Sequence, residues 1–213
     1  MIGLRFSKLK TVLCLGAHAD DIEIGCGGTI TKLIRENTDL NVVWIVFSGR
    51  GRRRLEAERS AQAFLKDAVK KMVTVKNFKD SFFPSQTAAI KGFFEQLKRD
   101  VRPDLVFTHF LEDRHQDHRV LSELTWNTFR NHLIMEYEIP KYEGDLQHPN
   151  VFVPLARVVC DEKVSRICRF FQTQGNKHWF SEDLFYGLMR IRGTECASEE
   201  RFAEAFHCRK LII

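Results

Sequence analysis

Residues 16–28 read GAHADDIEIGCGG and follow the apolar run 11–15, so a histidine and two adjacent aspartates stand where a buried strand gives way to glycines. A second cluster, Arg114-His115-Gln116-Asp117-His118, follows another apolar run at 105–108. Carboxylates are costly to bury without partners, so acids at the mouth of a core strand point to chemistry. His18 and Asp21, three residues apart on a turn, can converge on one ion, and His118 would complete a set of two histidines and one carboxylate. Three protein ligands leave a position open for water, the arrangement of catalytic zinc. Such a metal lowers the pKa of its water from ~15.7 to about 7 and polarises a carbonyl. Ferrous iron suits the same ligand types and is the alternative ion. Asp20 adjoins a ligand and is the candidate base. His115 could donate to a developing oxyanion or protonate a leaving amine, with Asp117 fixing its tautomer. Gly25, Gly27 and Gly28 would let the backbone pass close to the ion before a helix starts.

Taken singly, each feature has a plainer use. An aspartate ahead of a helix is commonly an N-cap, and a lone histidine on a helix commonly packs or faces solvent. What separates these clusters from that background is where the surrounding elements put them. Strands are expected at 11–15, 41–47, 72–75, 105–108 and 151–153. Helices are expected at 29–35, 54–71, 86–99, from His115 to about 129, at 162–171 and at 181–192, before a closing segment. Alternation of this kind indicates βαβ units and a parallel sheet covered on both faces. The fold class is therefore α/β, a Rossmann-like three-layer sandwich with a mostly parallel sheet. Ligands in such folds bind beyond the carboxyl ends of the strands, and right-handed connections bring both clusters to that one edge.

The 213 residues suit a single domain spanning 1–213. A composition of 44% hydrophobic and 29% charged residues excludes a disordered chain. No apolar stretch approaches the ~20 residues of a membrane span. The opening MIGLRFSKLK lacks the apolar centre of a leader peptide, which predicts a cytoplasmic protein. Six cysteines without a CxxC pair read as reduced, mostly packed thiols. The net charge of +5 is partly concentrated in GRGRRR at 49–54. No nucleic-acid motif accompanies that run, so it reads as a solvated loop or one that meets an anionic small molecule, and no nucleic-acid partner is expected. Oligomeric state is not readable from the chain, and a homo-oligomer is compatible with it.

The two clusters carry a resemblance. GAHADDIEIGCGG resembles the AHPDDxExxxGG motif of the PIG-L/LmbE-like zinc deacetylases, and RHQDHRV resembles their HPDHxxV motif. PDLVFTH ahead of the second motif and RFAEAFHCRK near the end, similar to a YAEAF segment, extend the likeness over nearly the whole chain. The resemblance implies removal of acetyl groups from N-acetylglucosamine-type substrates, including a GPI-anchor precursor and precursors of low-molecular-weight thiols. It implies His18, Asp21 and His118 as zinc ligands, Asp20 as general base, and His115 assisting the oxyanion or leaving group with Asp117 as its partner. Ala19 and Gln116 stand where the family carries prolines. The late HxSQ motif appears as Phe171-Gln172-Thr173-Gln174, retaining Gln174 without the histidine, and Arg53 with Glu56 offers an RxxE element. Arg53 and Gln174 are thereby substrate-binding candidates, as are loops 49–55, 77–86 and 136–149, where Phe82, Phe83, Tyr137 or Tyr142 could stack on a sugar. A non-sugar or thiol-conjugate amide substrate, or a sugar-binding relative without activity, is the alternative. A phospho-acceptor pocket built on Asp20 and Asp21 would leave the histidines and glycines unexplained.

Overall fold

The computed structural model describes Gly3 and residues 9–212; Met1, Ile2 and residues 4–8, from the segment read for a leader, lie outside the described residues. Among the described residues, seven strands form one sheet in the order β3-β2-β1-β4-β5-β7-β6. Strands β1 (Thr11–Gly16), β2 (Asn41–Val46), β3 (Lys70–Val75), β4 (Leu105–His109) and β5 (Leu133–Tyr137) run parallel. β7 (Ala203–His207) runs antiparallel between β5 and β6 (Val151–Pro154). The mostly parallel α/β sheet is the expected class.

Alternation along the strands divides the core. Val12, Cys14, Trp44 and Phe107 face α1 (Asp21–Glu36), α2 (Gly51–Phe64) and α5 (Arg157–Phe170). Leu13, Leu15, Ile45 and Val106 face α3 (Phe83–Asp100) and α4 (Gln116–Thr128). Both faces are apolar because parallel strands must be covered on both sides. α6 (Glu182–Glu195) packs beside α5 and β7, after a 3-10 turn at Gln172–Gln174. No helix among the described residues is long and apolar enough to cross a membrane. The six cysteines are free, and Cys14, Cys26, Cys160 and Cys196 are buried.

Several expected elements shift. The first helix starts at Asp21, so Gly25, Gly27 and Gly28 lie inside it rather than before it. Their role is packing: a Cβ on Gly25 would collide with the Tyr137 ring, and one on Gly28 would meet Leu155 and Glu204. The basic run is not a loop; after Gly51 at φ +52° it forms the first turn of α2, which ends at Phe64 rather than 71. β5 was not anticipated, because Glu136 interrupts its apolar pattern, and the closing segment proves to be β7.

β7 also acts on α1 from within. Gly28 and Thr29 N–H donate to Glu204 Oε1 and Oε2 at 2.8 and 2.6 Å. Lys163 Nζ donates to Ile24 O, the carbonyl four residues before Gly28, and to Glu204 Oε1, both at 2.6 Å. A buried ion pair from α5 and β7 is thus wired into the backbone of the helix that opens on Asp21.

Candidate metal centre

β1 and β4 are adjacent and parallel, with Cys14 level with Phe107, so their carboxyl ends open side by side. His18 and Asp21 follow β1, and the stretch from His109 to His118 follows β4. Asp21 Oδ2 accepts from His18 N–H at 2.6 Å, which closes the turn. It lies 3.4 Å from His18 Nδ1 and 3.6 Å from His118 Nε2, and those two nitrogens are 3.2 Å apart. The structure therefore brings His18, Asp21 and His118 to one point.

The second nitrogen of each imidazole is committed elsewhere. His118 Nδ1 lies 2.9 Å from Asp113 Oδ2, and His18 Nε2 lies 3.2 Å from Asp117 Oδ2. Carboxylates accept there, so both rings carry their proton on the outer nitrogen and turn lone pairs toward Asp21. Two lone pairs and a carboxylate oxygen facing one another in a buried pocket repel unless a positive charge lies among them. The proton affinities show the same demand for positive charge, because a proton on His18 would take the place of that charge. Burial works against protonation of His18, yet Asp21, with Asp117 and Asp80, draws it well above the ordinary histidine range. Burial would raise Asp21, but His118, His109 and His18 hold it well below the ordinary carboxylate range. The donor set thus fits a divalent cation.

Asp20 stands at the N-cap position, just ahead of α1, without capping it: its side chain accepts no bond from the helix. Instead Arg53 Nη2 donates to Oδ1 at 2.8 Å, while Oδ2 is buried without a partner. Burial pushes this carboxyl above its ordinary range, against the pull of Arg53. His115 Nδ1 accepts from Asp117 N–H at 3.2 Å, leaving Nε2 as the donor nitrogen of the neutral ring. Burial, with His18, holds His115 below its ordinary range.

Asp117 is expected to fix the His115 tautomer, and it addresses that ring through its backbone N–H, while its carboxylate faces His18 and accepts from Ser81 N–H and Phe83 N–H at 2.6 and 3.0 Å. Gln174 Nε2 is 3.3 Å from Thr173 Oγ1, and Thr173 bonds Glu56 through both N–H and hydroxyl. Phe171 is buried, with Arg53 5.8 Å from its ring centre. Of the aromatic candidates, Phe83 and Tyr137 are fully buried core residues, whereas Phe82 and Tyr142 are exposed.

Three neighbours were missed. His109 Nε2 lies 3.1 Å from Asp21 Oδ2, and its ring stacks on His118 at 3.8 Å. Asp113 orients His118. Asp80, on the turn after β3, places Oδ1 3.3 Å from His18 Nε2. Asp113 and His109 were legible in one respect, since both sit within HFLEDRHQDH; Asp80 gave no signal, because only the turn brings it over.

Residues 13–129 match the PIG-L family, described as GlcNAc-PI de-N-acetylase. The chain is 30% identical over 144 residues to the uncharacterized deacetylase YaiS of Escherichia coli K12, covering 63% of this chain and 76% of that one. The fold is similar to that of N,N'-diacetylchitobiose deacetylase from Pyrococcus horikoshii (TM-score 0.74, 21% identity, 96% of this chain and 85% of that one). It is equally similar to GalB, the 4-carboxy-2-hydroxymuconate hydratase of Pseudomonas putida KT2440 (TM-score 0.75, 16% identity, 96% and 98%). The two structures speak to the fold alone, and one of them belongs to a hydratase. The chain belongs to the PIG-L de-N-acetylase family.

Proposed function

We propose that the protein is a divalent-cation-dependent hydrolase that removes the N-acetyl group from an N-acetylglucosamine-type sugar or its conjugate, releasing acetate and a free amine. The observation that carries this reading is the convergence of His18 Nδ1, His118 Nε2 and Asp21 Oδ2 beside an unpartnered Asp20 oxygen. Family membership and the deacetylase relatives support it. Zinc suits this donor set best, with ferrous iron the alternative. Held by His18, Asp21 and His118, such an ion would supply Lewis acidity to a water and to the amide carbonyl.

The chain's own residues account for the proton traffic. Asp20 is held by Arg53 through Oδ1, so Oδ2 is the atom free to take a proton from the attacking water. Water adds to the carbonyl carbon, the C–N bond breaks, and the proton held at Asp20 passes to the departing nitrogen. The donor nitrogen of His115 serves the oxyanion as it develops, an effect typically worth about 2.7–4 kcal/mol per donor. Arg53, on the rim and one-quarter exposed, both orients the base and presents its guanidinium to substrate. Asp80, a largely exposed carboxylate beside His18, is placed to accept from a sugar hydroxyl.

Acetate release across free, chitobiose-type, inositol-linked and lipid-linked N-acetylglucosamine, with and without added zinc, tests the reading. Zinc-dependent release from at least one is expected. No release from any of them, with unchanged substrate recovered, would overturn it.

A further inference from the structure

Beyond the residues that touch the proposed ion lies a buried ammonium the chemistry has not used. Lys141 Nζ is 2.9 Å from Asp113 Oδ2, 2.6 and 2.8 Å from Asp145 Oδ2 and Oδ1, and 3.3 Å from Ile139 O. Two carboxylates and a carbonyl thus occupy the three donors of a lysine, and its side chain is only 11% exposed. It therefore has nothing left for a substrate anion. Asp113 is 2% exposed and is the carboxylate 2.9 Å from His118 Nδ1, while its Oδ1 accepts from His115 N–H at 2.7 Å. Asp145 in turn accepts from Arg114 N–H at 2.7 Å. One ammonium thus clasps two carboxylates, one just ahead of the His115–His118 motif and one on the irregular segment 138–150.

We propose that Lys141 is a positioning residue for the cation site: by clasping Asp113 to Asp145 it fixes the carboxylate that orients His118, and it ties segment 138–150 to cation affinity. The inference rests on the cation reading above. The physical reason is geometric. Asp113 Oδ2 serves the imidazole only while its carboxylate keeps one rotamer, and Lys141 is the side chain that holds it from the far side. Without that ammonium a buried carboxylate loses its counter-charge, and the His115 N–H on Oδ1 alone is left to hold its rotamer. The ligand behind it then loses its aim.

Segment 138–150 has a second, independent anchor that serves as a control. Arg192 pairs with Glu138 at 2.6 Å and donates to Gln147 O at 3.1 Å, without touching Asp113. The measurement is zinc affinity of the metal-stripped full chain by chelator competition, read beside the melting temperature. Lys141→Met is expected to weaken zinc about 10-fold, within the range for outer-shell partners, and Lys141→Arg to restore most of it. Arg192→Met should lower the melting temperature and leave zinc affinity in place. If Lys141→Met does not fold, Asp145→Asn is read instead and should weaken zinc by about threefold, a smaller share of the same outer-shell effect. Wild-type affinity in a folded Lys141→Met or Asp145→Asn chain overturns the proposal, as does equal weakening by Arg192→Met. A wild-type chain that takes up no divalent cation overturns the cation reading itself, which is a separate result.

Discussion

At the scale of single residues, the two adjacent aspartates part company through their partners. Asp21 faces three histidines, whereas Asp20 faces one guanidinium and leaves an oxygen free. Asp20→Asn is expected to keep zinc but lose turnover by roughly 10²–10⁴-fold, the usual contribution of a general base. Near-normal turnover in that variant would remove Asp20 from the role. His118→Ala should instead lose zinc, which metal analysis of the purified variant reads directly. The ligand candidates were legible in the sequence because their spacing is local: His18 and Asp21 share a turn, and His118 lies in a compact motif. The carboxylates behind them were not. Asp113 and Asp80 reach the histidines through turns that no periodicity announces, and Asp117 was visible as a residue but not as the partner of His18, 99 positions away.

Among the elements, α1 carries most of the unexpected detail. A GxGG pattern after a strand suggests backbone making way for a ligand, yet here the glycines make way for side chains of other elements. Tyr137 occupies the space beside Gly25 and donates to Leu15 O at 2.7 Å, which joins β5, α1 and β1 behind the site. Gly25→Ala should therefore destabilise the protein by about 1–3 kcal/mol, the cost of overpacking a filled core, measured by denaturant unfolding. A neutral substitution would mean the ring yields more easily than its burial suggests. The parallel strands β1, β2 and β4 were readable from sequence because they are continuously apolar. β5 and β7 each carry a buried glutamate, Glu136 and Glu204, satisfied by partners distant in sequence. A pattern that counts charge as surface misses both.

For the whole molecule, the matched stretch 13–129 contains every residue assigned to the ion, but β5, β6, β7 and α5 come later in the chain. We read 1–213 as one folding unit. A fragment ending at 129 is expected to show no cooperative melt and no zinc uptake, and a fragment that melts sharply and binds zinc would divide the chain in two. The later half also sets a pH response. Burial, helped by Arg192, Arg209 and His148, pulls His207 on β7 from 6.5 down to about 4. A depressed histidine takes its proton more readily unfolded than folded. Its share of stability is therefore complete above about pH 6.5 and lost as pH falls toward 4. The melting temperature should drop more steeply over that window in the wild type than in His207→Phe, and parallel curves would exclude His207 as the cause. The contact of Glu204 with Gly28 and Thr29 has a consequence in time as well as in space. On the ribosome α1 emerges 176 positions ahead of the carboxylate that its backbone bonds. The nascent chain consequently carries its first motif through all of that synthesis before the helix behind it can be completed. The ion site would then be braced only once β7 has been made.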